Sequence, residues 1–413
     1  MSTVPPPMGP AYPPAGPAHP PAAPAYPFQQ SHESALPVLP TRYHGLWHSP
    51  RWRVWRPVVG ALVGGVLWFA ASTVAFVVAM VIDVASGRST AEEYYASLAG
   101  GGGFTPALFI ANNVGLACSI PIVWLVARLH SQPIGFVHSV IGRFRWRWFG
   151  WCLAVLLPIW IVFTVADTFL EGGGLDGLAV NGDTVVLILG ILLTTPLQCA
   201  GEEWFFRGGI NRLVAGCFPQ RTKTLGIVSA LVGGAVSSFC FMLAHMAQDP
   251  WLNISYFCFG AAACLLCYRT GGLEASTAMH IINNMTAMAL MPFSDISHMM
   301  DRSEGTGSPW SLLQLAVIAI AAALICRRAR AKGLDVVSEP EPAPAPGPWP
   351  QAVMAGAPQA VTGAWPAPHP FSDPAAFPPP AAYPAPAPSP LQGVPPVPPT
   401  VDGAGAPQAE PPR

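Results

Sequence analysis

The chain has 413 residues, of which 52% are hydrophobic and only 10% are charged, and its mean hydropathy is +0.42. This composition excludes an ordinary soluble globular protein and indicates a polytopic membrane protein. The net charge of −1 argues against a strongly basic nucleic-acid-binding protein, so no nucleic-acid partner is expected.

Proline separates two tails from an apolar middle. Of the 49 prolines, 14 fall in residues 1–50 and 25 in residues 338–413. Tracts of Pro, Ala and Gly cannot bury enough surface to offset chain entropy, so residues 1–45 and 336–413 are predicted to be disordered cytosolic tails. Residues 46–335 are predicted to form the membrane domain. The N-terminus lacks a basic patch followed by an apolar stretch, so no cleavable signal peptide is expected.

The middle of the chain contains eight apolar segments, each near the ~20 residues that cross a bilayer. They lie at roughly 58–84, 106–129, 148–169, 184–206, 225–247, 251–268, 275–291 and 310–325. The sequence therefore predicts an all-α fold, a polytopic bundle of about eight transmembrane helices.

Basic residues are distributed unevenly among the loops between these segments. If the N-terminus is cytosolic, the outer loops contain only Arg88 and Arg302 as bases, whereas arginines and lysines flank every inner loop. This asymmetry follows the positive-inside rule through all eight crossings. We therefore predict a multi-pass protein of the cell membrane with both termini in the cytosol.

Polar groups within the apolar segments need partners, because an unpaired polar group is unfavourable in lipid. Four of them are interpreted as interhelical hydrogen-bonding or interfacial groups: Asp83, Asp167, Asn112 and Asn113. Cys264 and Cys267 form a CxxC pair among Ala and Leu in mid-helix, and we interpret them as packing residues.

The most informative polar group lies at the end of the fourth apolar segment, where Glu202 and Glu203 are adjacent in the pattern EExxxR. An ionisable group at the centre of a membrane helix costs roughly 2.5–3.5 kcal/mol, so such groups usually face a polar interior and pair. Arg207 lies one helical turn past Glu203 on the same face. Snorkelling at the cytosolic interface would explain one carboxylate better than two.

Two further pairs use the i,i+4 spacing that places side chains on one helix face: Phe241 with His245 (FxxxH), and His280 with Asn284 (HxxxN). Taken alone, His245 is explained as a hydrogen-bonded core histidine, and the second pair as an interhelical contact. Together with Glu202, these residues supply a carboxylate, two imidazoles and an amide. A hydrolase that activates water could use this set.

In this order and at these separations, the three patterns resemble the motifs of the CAAX-processing and bacteriocin-processing family of intramembrane glutamic endopeptidases. That family includes the type II CAAX prenyl proteases. The resemblance covers about residues 140–292. It implies that Glu202 is the general base that activates the attacking water, and that His245 helps to orient this water.

The same resemblance implies roles for the remaining motif residues. His280 and Asn284 correspond to donors that stabilise the oxyanion. Glu203 and Arg207 correspond to the pair that fixes the motif helix and balances its charge, and Phe241 is grouped with them as a structural residue. The implied protein is an endopeptidase without a required cofactor, which cuts a membrane-associated peptide or protein in contact with the lipid bilayer.

Two other functions stay open. A zinc-dependent membrane metalloprotease could use His245, His280 and a glutamate as ligands, although the chain has no HExxH pattern. A non-catalytic scaffold, immunity factor or transporter could use the polar cluster for binding. A catalytically dead relative would be expected to have lost Glu202, His245 or His280, and this chain has all of them. Whether the substrate is prenylated stays open.

Helix geometry raises one difficulty for this site. Counted along the fifth segment at 1.5 Å per residue, His245 lies near the outer end, whereas Glu202 and His280 lie near the inner side. An interfacial helix or a long tilted extension at residues 208–228 would move these groups toward a common depth.

Overall fold

The computed structural model describes residues 34–98, 104–170, 174–296 and 302–339. Helices dominate these ranges, which confirms the predicted all-α class. The helices are α1 (Trp55–Ala85), α2 (Ala91–Leu98), α3 (Pro106–Ala117), α4 (Ser119–Leu129), α5 (Gly135–His138), α6 (Trp146–Leu170), α7 (Thr184–Glu202), α8 (Asn211–Ala215), α9 (Lys223–Ala244), α10 (Pro250–Thr270), α11 (Glu274–Ala287) and α12 (Ser311–Ala331). A π-helix (Glu203–Ile210), 3-10 turns (Tyr43–Gly45 and Met291–Phe293) and the strands β1 (Thr41–Arg42) and β2 (Val337–Ser338) complete the described elements.

In the described ranges, seven helical segments are long and apolar enough to cross a bilayer. Two of them are composite: α3 with α4, and α7 with the π-helix and α8. Large apolar side chains on their outer faces are exposed, for example Val66 and Phe69 on α1. Such faces favour contact with lipid, because exposed apolar side chains along a whole helix are unfavourable in water. The chain is therefore a multi-pass membrane protein.

The seventh predicted segment, 275–291, differs from a full-length membrane helix. Its helix, α11, has 14 residues and so spans about 21 Å, less than the ~30 Å hydrocarbon core. The chain still crosses here, because Glu274 pairs with Arg145 at the start of α6, whereas the Pro292 carbonyl accepts from Thr184 Oγ1 at the start of α7. The crossing is completed by the turn at Met291–Phe293.

The fourth segment is longer than the predicted range 184–206. The helix continues through the π-helix to Ala215, which adds about 20 Å beyond Glu202 at 1.5 Å per residue. Glu202 and Glu203 therefore lie well inside a helix rather than at its end. The fifth segment is shorter than predicted, because α9 ends at Ala244 and His245 is its C-cap.

Hydrogen bonds between elements bear out three of the four predicted interhelical polar groups. The bonds are Asn113 Nδ2 to Thr194 Oγ1 (2.9 Å), Thr105 Oγ1 to Asp83 Oδ2 (2.5 Å) and Trp310 Nε1 to Asp167 Oδ1 (2.7 Å). Each bond satisfies a polar group that lipid would leave unpaired.

The two ends of the membrane domain are joined by a short antiparallel ladder, which we call the terminal clasp. Strands β1 and β2 form it, with Thr41 opposite Ser338. Both predicted tail boundaries are therefore displaced: residues 34–45 and 337–338 include buried parts of the fold, and Tyr43 is fully buried. The rest of the predicted tails, 1–33 and 340–413, lies outside the described residues.

Aromatic side chains hold the segment that follows β1. The rings of Tyr43 and Trp47 contact the guanidinium of Arg212 at 4.9 and 4.6 Å, and Arg212 is fully buried. Trp47 Nε1 donates to Gln132 Oε1 over 3.0 Å, and the ring of His130 stacks on Trp47 at 4.3 Å. Cation–π contacts of this kind stabilise a buried cation by up to about 2 kcal/mol. The segment before α1 is thus packed against α8.

We predict that this segment undocks in acid. Burial lowers the pKa of His44 to about 4 and that of His130 to about 3. An undocked imidazole titrates near 6.5, so the undocked state binds more protons below that pH. Docking is at full strength above about pH 6.5 and weakens as the pH falls towards 4, and His44 alone accounts for about 2 kcal/mol of this loss at pH 5.

Hydrogen exchange of residues 41–48, corrected for intrinsic rates, checks this expectation. Protection should be lower at pH 5 than at pH 7, whereas α12, which contains no histidine, serves as the internal control. Equal protection of residues 41–48 at both values would contradict it.

A second prediction concerns topology. The terminal clasp places residues 41 and 338 at the same end of the bundle, and the basic loops predict that this end is cytosolic. In a Cys217→Ser parent, Val38→Cys and Lys332→Cys should react with an impermeant thiol reagent only from the cytosolic side, and Val180→Cys only from the outer side. All three sites are exposed. Reaction of positions 38 and 332 from opposite sides would contradict the prediction.

Candidate functional site

The motif EExxxR lies where the α-helical hydrogen-bond pattern gives way to a π-helix. The change occurs between Glu202, the last residue of α7, and Glu203, the first of the π-helix. π-Helices are rare in proteins, and those that occur often lie at functional sites. The residue just before the motif is closely packed: a Cβ added to Gly201 would lie 2.2 Å from the Leu116 carbonyl oxygen. Only glycine permits this approach, which presses the motif helix against the end of α3.

Glu203 is the centre of a buried charge cluster. Its Oε1 accepts from Arg207 NH1 and from His280 Nδ1, each over 2.9 Å. The Glu203 and Arg207 side chains are fully buried and His280 is 3% exposed. The Arg207 guanidinium also lies 4.5 Å from the centre of the Phe241 ring. Glu203 therefore balances Arg207 and fixes the orientation of the His280 ring.

Glu202 faces the other side of the same imidazole. Its Oε2 lies 3.5 Å from His280 Nε2 and has no hydrogen-bond partner among the described residues. Its Oε1 accepts from Gln198 Nε2 over 2.7 Å. His280 is thus held between two carboxylates, and one oxygen of Glu202 is left free.

Asn284 joins this group on the helix face of His280. Its Nδ2 donates to Gln198 Oε1 over 3.3 Å, so Gln198 contacts both Asn284 and Glu202. An amide nitrogen carries two hydrogens, so one N–H of Asn284 stays available to another acceptor.

His245 reaches the cluster from the end of α9. Its Nδ1 lies 2.8 Å from the Phe241 carbonyl oxygen, and its ring stacks on Tyr256 at 3.9 Å. Both His245 and His280 contact the ring of Phe241, so the two imidazoles lie at similar depth. The extended fourth segment moves Glu202 away from the helix end, in the direction that the depth difficulty requires.

Phe241 packs at the centre of the site and carries no polar atom. Its ring contacts those of Phe206, His245 and His280, with centroid distances of 5.1, 4.5 and 5.9 Å. The side chain is 2% exposed. The ring therefore contributes packing rather than hydrogen bonds to the site.

A bidentate ion pair anchors the helix that carries His280. Arg145 Nε and NH2 donate to Glu274 Oε1 and Oε2 over 2.8 and 2.7 Å, and the Arg145 backbone N–H donates to Oε1 over 2.9 Å. Glu274 is the first residue of α11, where a carboxylate also favours the helix dipole. This pair fixes the start of α11 two turns before His280.

Two features of the site were missed in the sequence. The π-helix has no recognised sequence signal apart from Gly208 and Gly209. Gln198 does have a sequence signal, because it lies a single turn before Glu202 on the same face of an apolar helix.

One structural observation bears on the zinc alternative. In the described ranges, no group of three or more His, Cys, Asp and Glu side chains is arranged to hold a metal ion.

We predict that Arg207→Met destabilises the folded protein by about 3–5 kcal/mol, because Glu203 would remain buried without its cation. The double variant Glu203→Gln/Arg207→Met should lose less than the sum of the two single variants, since neither charge is left unpaired. Reversible unfolding in lipid–detergent micelles measures both values. Arg221→Met, at an exposed loop arginine, is the matched control and should change stability by less than about 0.5 kcal/mol. Additive single and double effects would contradict coupling of the pair.

Comparison with known proteins places the cluster in a matched region. The sequence model of the Rce1-like family, described as type II CAAX prenyl endopeptidase Rce1-like, matches residues 183–286. An uncharacterised protein of Bacillus subtilis (strain 168), YyaK, is 26% identical over 170 residues. That alignment covers 40% of this chain and 56% of YyaK, so the chain spans about half the length of this relative. No solved structure matches the chain.

The matched range is narrower than the region of about 140–292 expected from the motifs, but it contains EExxxR, FxxxH and HxxxN in full. Residues 183–286 therefore form an Rce1-like domain, as the order and spacing of these motifs predicted.

Proposed function

We propose that this protein is a CAAX-type intramembrane endopeptidase, which hydrolyses a peptide bond in a membrane-associated peptide or protein with a water molecule activated by Glu202. The family of the matched domain supports the reaction class. One observation carries the mechanism: Glu202 has one oxygen held by Gln198 and the other free, facing His280 Nε2 across 3.5 Å inside an apolar bundle.

The histidine tautomers follow from their partners. A carbonyl oxygen only accepts, so His245 donates through Nδ1 to Phe241, which leaves Nε2 free to accept from water. A carboxylate also only accepts, so His280 donates through Nδ1 to Glu203. When its Nε2 carries a proton as well, it is a donor on the side of Glu202.

Hydrolysis then needs a base, a water and donors for the oxyanion. Glu202 Oε2 takes a proton from the water held by His245, and the water oxygen forms a bond to the scissile carbonyl carbon. The carbonyl oxygen gains the negative charge and accepts from His280 Nε2 and Asn284 Nδ2. Transfer of the proton from Glu202 to the amide nitrogen breaks the C–N bond and releases an amine and a carboxyl group.

The decisive prediction concerns Glu202→Gln. This change keeps the shape of the side chain but removes the base, so hydrolysis should fall by at least ~10²-fold while the protein still folds. His245→Gln should give a similar loss, and His280→Gln or Asn284→Leu a loss of about 10²–10³-fold. The measurement is cleavage of a membrane-associated peptide by purified protein in lipid.

Glu93→Gln, at an exposed glutamate on α2, is the matched control and should leave the rate unchanged. Chelators should have little effect if glutamate alone activates the water. Full activity in folded Glu202→Gln would eliminate the glutamate mechanism. Inactivation by chelation that zinc restores would instead support the metalloprotease.

A further inference from the structure

A continuous chain of side-chain amides connects Glu202 to α6. Gln198, 5% exposed, donates through Nε2 to Glu202 Oε1 over 2.7 Å and accepts at Oε1 from Asn284 Nδ2 over 3.3 Å. Asn284 Oδ1 accepts in turn from Asn283 Nδ2 over 3.1 Å. At the far end, Trp160 Nε1 donates to Asn283 Oδ1 over 3.2 Å.

The direction of this chain is fixed at both ends. Ionised Glu202 only accepts hydrogen bonds, so the amide group of Gln198 that faces it must be the NH2. The indole of Trp160 only donates, so Asn283 must turn its oxygen towards the ring. Between these ends each amide has a single orientation that satisfies its neighbours. The chain is therefore ordered, and a reversed Gln198 would leave Glu202 and Asn284 without this hydrogen bond.

We infer that Gln198 is a positioning residue for the reaction: it holds Glu202 Oε1 so that Oε2 faces the water, and it sets the Asn284 amide that stabilises the oxyanion. This inference rests on the proposed function. The geometry supports it because the two ends of one amide contact the proposed base and one proposed oxyanion donor. Without Gln198, the Glu202 carboxylate can rotate towards His280, and Asn284 loses its acceptor.

A buried glutamine also has a plain structural role, namely to satisfy hydrogen bonds between α7 and α11. That role predicts a loss of stability on substitution. It predicts no change in the rate of the folded enzyme and no change in its pH dependence. The two roles are therefore separable by kinetics.

The first test is Gln198→Leu, which keeps most of the volume and removes both hydrogen bonds. We expect kcat to fall by about 10–10²-fold with KM within about twofold, because a small misplacement of catalytic groups affects the chemical step rather than peptide binding. The matched control is Asn113→Leu. Asn113, on α3, is an amide of similar burial that donates to Thr194 on α7, the helix that carries Gln198. Its loss should leave kcat and KM unchanged.

The second test, Gln198→Glu, is independent of the first. A carboxyl group at position 198 donates to Glu202 only while it is protonated, so this variant should be active in acid and lose activity as the pH rises. Its alkaline limb should lie at lower pH than that of the wild-type enzyme. A residue that only fills space would give the wild-type profile.

Wild-type protein and Glu202→Gln are assayed in parallel, which separates the two proposals. Absence of cleavage by wild type would overturn the proposed function. Cleavage by wild type and its loss in Glu202→Gln, together with wild-type kcat in Gln198→Leu or a wild-type pH profile in Gln198→Glu, would overturn the role of Gln198 alone.

Discussion

Two adjacent carboxylates inside a lipid-embedded helix persist only if cations and hydrogen-bond donors surround them, and the architecture around Glu202 and Glu203 meets this constraint. Glu203 is compensated by Arg207 and His280, each at 2.9 Å, whereas Glu202 receives one hydrogen bond from Gln198. The compensation is unequal. The carboxylate that pairs with Arg207 is a structural element, and its neighbour keeps Oε2, which faces His280, for chemistry.

This inequality depends on the placement of a short helix. α11 carries His280 and Asn284 between α6 and α7, and it begins at Glu274, which Arg145 holds with two side-chain hydrogen bonds. Because a helix rises only 1.5 Å per residue, an anchor two turns from His280 limits its displacement along the helix axis. Fourteen residues suffice for the site, although they are too few for a complete membrane crossing.

The fold class and seven of the eight predicted membrane helices could be predicted from the sequence, because hydropathy is a local signal. The three motifs could be recognised because i,i+4 spacing is local as well. The sequence placed Glu202 at a helix end, since no local pattern distinguishes a stop from the π-helix that carries the chain on to Ala215. It assigned residues 34–45 to a tail, because the partners of Tyr43, which are Arg212 on α8 and the Val137 carbonyl, lie far along the chain. Long-range partners leave no mark in local composition.

The terminal clasp has a consequence for the order of folding. Ser338 and Thr41 are separated by 297 positions, so the first strand has no partner until nearly all of the membrane domain has been synthesised. At about 5–20 residues per second, β1 waits on the order of 15–60 s after it leaves the ribosome. The helices insert during that interval. Closure of the ladder is therefore one of the last steps, and it marks a chain whose helices have all been synthesised.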